Sequence, residues 1–213
     1  MIKCAIFDFD GTLVDSNNIK FNAFFKATKH IPNSKKILEK ILKKKIGDRY
    51  AIFSHFSDTI FSEYEISVND DKLSHEYTLI CEEEVSSASN RDGFEESLTK
   101  LKLMGIKLFV SSATPEITLN RIIRKRGNSD LFDGIFGAPD SKEIHIENIK
   151  QSFKCSSSEI LYIGDSEDDR LAAINSNCHF FGIGFDYSRF VIKPTILLDT
   201  LHDLPKWVRT LES

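Results

Sequence analysis

The chain has 213 residues, 41% of them hydrophobic and 28% charged, which suits one globular domain with an insert, or one large domain, and excludes a disordered, collagen-like or low-complexity chain. A net charge of −4 provides no basic field for phosphate backbones, which argues against a nucleic-acid partner. Cys4, Cys81, Cys155 and Cys178 lie far apart with no C-x-x-C pair, so neither a zinc knuckle nor a disulfide framework is suggested, and reduced thiols in a cytoplasm are expected.

The opening run Ile2 to Phe7 is too short for a signal-peptide core or a membrane span. It reads as a buried strand stopped by Asp8-Phe9-Asp10-Gly11-Thr12, with Gly11 supplying a turn. From Asn17 to about Asn90 the apolar residues recur at helical spacing, as in Phe21, Phe24, Phe25 and then Ile37, Leu38, Ile41, Leu42. This predicts a helical insert after the first strand, with Ser34 as a cap behind the Ile31-Pro32 break. Its charge is split between a basic first half and an acidic second half, as expected of neighbouring helices with complementary solvated faces or of a basic surface that draws in anions.

After the insert, Phe94, Leu98, Leu101 and Met104 mark an amphipathic helix, and apolar runs at Ile106 to Val110, Ile160 to Ile163, Phe180 to Ile183 and Thr195 to Leu198 predict further strands. Strand and helix in alternation imply an α/β fold whose parallel sheet is covered on both faces. The expected organisation is a core of residues 1–16 and 91–213 around a helical insert of residues 17–90. The segment around Trp207 is expected to pack a last helix on the core.

Asp8 and Asp10 stand two residues apart at a strand end, where the period of two sends both side chains to one side. Gly11 next to them allows backbone amides to approach an anion, and Thr12 shares that turn. A second carboxylate cluster, Gly164-Asp165-Ser166-Glu167-Asp168-Asp169, follows another strand. Crowded carboxylates at one sheet edge call for a cation, and hard oxygen donors suit Mg²⁺. Between the clusters lie the hydroxyls of Ser111 and Ser112 at a strand end and the cation Lys142, the groups a phosphoryl moiety needs.

In this order the residues resemble the four motifs of the haloacid dehalogenase superfamily: Asp8 to Thr12 the first, Ser111 the second, Lys142 the third and Gly164 to Asp169 the fourth. The resemblance spans Ile2 to Ala173 and implies a Rossmann-like core with a helical cap inserted after the first motif. It further implies a phosphatase of small phosphorylated metabolites in which Asp8 is the nucleophile and Asp10 the shared acid and base. Mg²⁺ would be held by Asp8, the Asp10 backbone carbonyl and Asp165, with Asp169 ordering the metal's water or the lysine. Ser111 and Lys142 would hold the phosphoryl oxygens, and Arg49 or Lys45 in the insert would touch substrate. Asp10 selects the phosphatase and phosphomutase branches over those cleaving carbon–halogen bonds, which leaves a mutase of the beta-phosphoglucomutase type open. A binding protein without turnover is the reading of another class. The histidines show no ligand spacing.

Overall fold

The computed structural model describes residues 1–44, 46–185 and 187–211. Its strands are β1 (Cys4–Phe7), β2 (Lys107–Pro115), β3 (Gly134–Ala138), β4 (Ile160–Gly164), β5 (His179–Ile183) and β6 (Leu197–Leu198). They form one parallel six-stranded sheet in the order β3-β2-β1-β4-β5-β6. β1 is central and every one of its residues is buried, which is why it reads as an unbroken apolar run and not as an alternation. Phe7 pairs with Val110 of β2 and with Ile163 of β4, so the carboxyl ends of these three strands reach one edge of the sheet together.

The helices are α1 (Asn17–Thr28), α2 (Ser34–Lys43), α3 (Arg49–Tyr64), α4 (Asp70–Ser86), α5 (Phe94–Leu103), α6 (Glu116–Lys125), α7 (Lys142–Phe153), α8 (Glu167–Asn175) and α9 (Leu204–Thr210). The chain divides into two compact units, Met1–Ser16 with Ala88–Ser213 and Asn17–Ser87. The first is an α/β Rossmann-like unit that interleaves the sheet with α5 to α9, and the second is helical throughout its regular elements. Among the described residues no helix is long and apolar enough to cross a membrane, and no disulfide joins the cysteines.

The helical unit is built around Phe24, Phe53 and Tyr77, whose ring centroids lie 4.5 to 6.0 Å apart. In α2, Ile37, Leu38 and Ile41 are buried while the lysines face outward. Asp48 caps α3 by accepting from Tyr50 N and Ala51 N, and Asn69 caps α4 by accepting from Lys72 N. Ser34 is not the cap of α2: Asn33 holds that position with a left-handed backbone (φ 59°) and no side-chain capping bond, and Ser34 is the first helical residue. One product of the split charge is the Lys26–Glu84 ion pair at 2.6 Å, between α1 and α4.

In the Rossmann-like unit the last segment is fastened to the start of α5. Leu201 N donates to Asp92 O, and Ser97 Oγ donates to Leu201 O at 2.5 Å. The segment around Trp207 does form a last helix, α9, which packs through the buried Leu204, Pro205 and Val208, while Trp207 itself is exposed. His202 lies between Asp92 Oδ1 (3.1 Å) and Glu96 Oε2 (3.0 Å), and its hydrogen bonds to these carboxylates raise its pKa. A histidine with a raised folded pKa contributes stability that is fully present below the unfolded value, about 6.5, and is lost as pH rises through the folded value. The melting temperature gap between wild type and His202→Gln should therefore be larger at pH 6 than at pH 9. A gap independent of pH would count against the charged pairing.

Candidate active site

Asp8 is the first residue beyond β1, and its N–H still joins the sheet by donating to Ile163 O at 2.9 Å. Gly11 adopts φ 83°, a left-handed conformation that favours glycine, and its N–H closes the turn onto Val14 O at 2.7 Å. Asp10 is fixed from two directions. Ser16 Oγ donates to Oδ1 at 2.7 Å, and Thr114 Oγ1, at the end of β2, donates to Oδ2 at 3.0 Å.

Lys142 opens α7, where Ser141 Oγ caps the helix by accepting from Ile144 N. Its ammonium donates to Asp8 Oδ1 at 2.9 Å and to Asp169 Oδ1 at 2.5 Å. Asp169 is itself held by a capping box at the start of α8: Ser166 N–H and Oγ–H both donate to its Oδ2, at 3.1 and 2.5 Å. Asp8, Asp165 and Asp169 are all buried, and one carboxylate oxygen from each lies within 4.8 Å of the others. Burial pushes the Asp8 carboxyl up to about 8; Lys142 pulls it back, and Asp169, Asp165 and Asp10 add to the push. Burial opposes the charge on Lys142, but Asp169 and Asp8 outweigh it and hold its pKa well above the usual lysine range. The cluster thus carries more negative charge than Lys142 offsets, and its donors are hard oxygens, the chemistry that suits a hard cation.

Gly164, at the end of β4, makes room for this arrangement. A Cβ on it would stand 2.3 Å from Asp169 Cβ and Cγ. Gly164→Ala should push Asp169 off Lys142 and lower stability by about 1–3 kcal/mol, the cost of overpacking a close-fitted site. A melt within about 1 °C of wild type, with activity retained, would contradict that fit, because a loss on that scale shifts the midpoint by several degrees.

Ser111 stands near the end of the paired part of β2, where its backbone N–H and C=O belong to the sheet. It is fully buried, and its Oγ lies 2.9 Å from Nδ1 of the buried His145. Burial lowers the His145 pKa and so favours the neutral ring; there Nε2–H donates to Gly137 O at 3.2 Å, which leaves Nδ1 to accept the Ser111 hydroxyl proton. The expected donor of the second motif thus has a hydrogen-bond partner in His145. Ser112 is buried too, and its Oγ accepts from Thr114 N at 3.1 Å, which leaves its own proton available to another acceptor. The Thr12 hydroxyl is buried with no hydrogen-bond partner among the described residues. Arg49 belongs to the helical unit, where its guanidinium lies 4.9 Å from the Tyr50 ring centroid and 5.9 Å from that of Tyr77. Lys45 lies outside the described residues.

Residues 5–183 match the family model described as haloacid dehalogenase-like hydrolase. The chain belongs to this family. The phosphoglycolate phosphatases of Vibrio vulnificus and Photobacterium profundum are each 24% identical to it, across 95% of this chain and 94% of theirs. Among solved structures, a predicted phosphoglycolate phosphatase from Haemophilus somnus 129pt superimposes with a TM-score of 0.76 at 22% identity, covering 97% of this chain and 98% of that one. A CbbY variant from Rhodobacter sphaeroides in complex with xylulose-(1,5)bisphosphate gives 0.73 at 16% identity, covering 96% of both chains.

Three residues at the sheet edge of this haloacid dehalogenase-like hydrolase escape a reading of the sequence. Thr114 positions Asp10, His145 claims Ser111, and Arg189, between β5 and β6, places Nη1 2.5 Å from Asp165 Oδ2. Threonine, histidine and arginine at these positions belong to no local pattern, so only the folded geometry reveals them.

Proposed function

We propose that this hydrolase is a Mg²⁺-dependent phosphatase that cleaves small phosphate monoesters, such as sugar phosphates and similar metabolites, through a phosphorylated Asp8. The observation that carries the reading is the grip of Lys142 on both Asp8 and Asp169 beside Asp165. It gathers three buried carboxylates and a fixed cation, the groups that a nucleophile and a metal site would need. The relatives named phosphoglycolate phosphatase support the ester class.

In this reading an Asp8 oxygen attacks phosphorus, a P–O bond forms to Asp8, and the ester P–O bond breaks with its electron pair leaving on the alkoxide. Asp10 gives that alkoxide a proton and then, as a carboxylate, takes one from the water that attacks the phosphorylated Asp8, releasing phosphate. The bonds from Ser16 and Thr114 keep Asp10 in one orientation for both transfers. Lys142 offsets the repulsion between Asp8 and the incoming phosphate, and Ser112, Gly11 and Thr12 are the candidate contacts to the phosphoryl oxygens. Mg²⁺ would be held by the Asp8 and Asp165 carboxylates and the Asp10 carbonyl, with Asp169 close by. Bound there, it supplies positive charge against the carboxylates and the phosphoryl group. The helical unit takes the part of the cap. A cytoplasmic setting with reduced thiols completes the reading.

A panel of small phosphomonoesters tests this. Phosphate release should stop on removal of divalent cations with a chelator and return with added Mg²⁺. Absence of release from every ester, by folded protein that binds Mg²⁺, would sink the phosphatase reading in favour of a mutase or a binding protein.

A further inference from the structure

Arg189 lies in the irregular segment between β5 and β6 and forms an ion pair with Asp165, Nη1 to Oδ2 at 2.5 Å. The two partners are unequal: the Asp165 side chain is 4% exposed and that of Arg189 is 46% exposed. The carboxylate is thus fixed in the fold, whereas the guanidinium reaches water and, once another cation pairs Asp165, can exchange this contact for water at small cost. The backbone around Arg189 is anchored separately. Val191 N donates to Glu167 Oε2 at 3.0 Å, and Glu167 is gripped in turn by Arg170 Nε and Nη2 at 2.9 and 2.6 Å. The Arg189 side chain can therefore leave Asp165 without moving the segment that bears it.

Asp165 is also one of the three clustered carboxylates. A guanidinium and a divalent cation that draw on the same carboxylate repel each other at close range, so occupancy by one weakens the other. We propose that Arg189 is the resident counter-ion of Asp165 in the metal-free enzyme, and that a divalent cation binds by displacing it. Arg189 is then a positioning residue. It keeps the buried Asp165 paired before the metal arrives, and it sets the apparent metal affinity by competition. The inference rests on the reading of Asp165 as a metal ligand.

The test is calorimetric titration of the full chain with Mg²⁺, without substrate, each variant first checked by melting and circular dichroism. Arg189→Gln should bind Mg²⁺ about fivefold more tightly than wild type, the scale of a partly exposed ion pair. Arg189→Lys, which keeps a cation there, should fall closer to wild type. Lys193→Gln is the control for a general field effect: Lys193 is on the same segment but rests over the Tyr187 ring, 5.0 Å from its centroid, and its loss should leave the affinity unchanged. Affinity unchanged or weakened in Arg189→Gln, or tightened equally in Lys193→Gln, overturns displacement. Asp165→Asn and Asp8→Asn decide the underlying reading separately. If both bind Mg²⁺ as wild type does, the metal site itself is wrong; if they lose it while Arg189→Gln matches wild type, only the role of Arg189 falls.

Discussion

Asp8→Asn is expected to abolish phosphate release, by about 10⁴-fold or more, while leaving a folded protein that melts at or above the wild-type temperature. The kinetic part follows from chemistry: an amide cannot supply the oxygen that bonds to phosphorus, and removing a nucleophile that acts together with its partners costs nearly all of their joint effect. The stability part follows from charge. Asp8 is buried among Asp169, Asp165 and Asp10, and burial together with these neighbours pushes its carboxyl up to about 8. A neutral amide of nearly the same shape relieves that crowding and can still accept from Lys142. Acid-quenched wild-type protein should carry a phosphate that hydroxylamine removes, and the variant should carry none. Near-normal turnover in Asp8→Asn would rule out the proposed nucleophile, and collapse of the fold would show that Asp8 is needed for more than chemistry.

Legibility in the sequence followed burial and distance along the chain. β1 and β4 are buried in every residue and end in carboxylates, so a short apolar run followed by Asp marks each of them. β3 leaves no such mark: it is an edge strand, Gly-Ile-Phe-Gly-Ala, with two glycines in five residues and only Gly137 fully buried, and no apolar run predicts it. The run from Thr195 to Leu198 forms only a two-residue strand, Leu197–Leu198, at the opposite edge. Within the site, the carboxylates stand out because they follow apolar strands, and Lys142 stands out only through the resemblance of its position to the third motif. The hydroxyls do not, because adjacent strand residues point to opposite faces and the choice between Ser111 and Ser112 depends on what waits there. His145 meets Ser111 from 34 residues away, as Thr114 meets Asp10 across 104.

Lys142→Met is expected to be damaging in a different way, losing both activity and stability, with the stability restored in part by Mg²⁺. Lys142 is 14% exposed in its side chain, Asp8 is 8% exposed and Asp169 is fully buried, so removing the ammonium leaves two buried acids without their shared cation. Breaking a buried pair from one side costs about 3 kcal/mol. Asp169 bears most of that loss: its Oδ1 gives up the 2.5 Å contact, whereas its Oδ2 keeps the Ser166 bonds that cap α8. A divalent cation binding the folded state alone recovers stability by mass action, about 2.7 kcal/mol at a hundred times its dissociation constant, so the melting deficit should narrow as Mg²⁺ is raised. Activity should not return with it, because the cation cannot replace the hydrogen bonds that hold Asp8 and an incoming phosphate together. If the deficit is the same with and without Mg²⁺, cation and lysine do not share these carboxylates. If activity recovers fully, the ammonium is only a counter-charge, and its direct contact with Asp8 has no catalytic part.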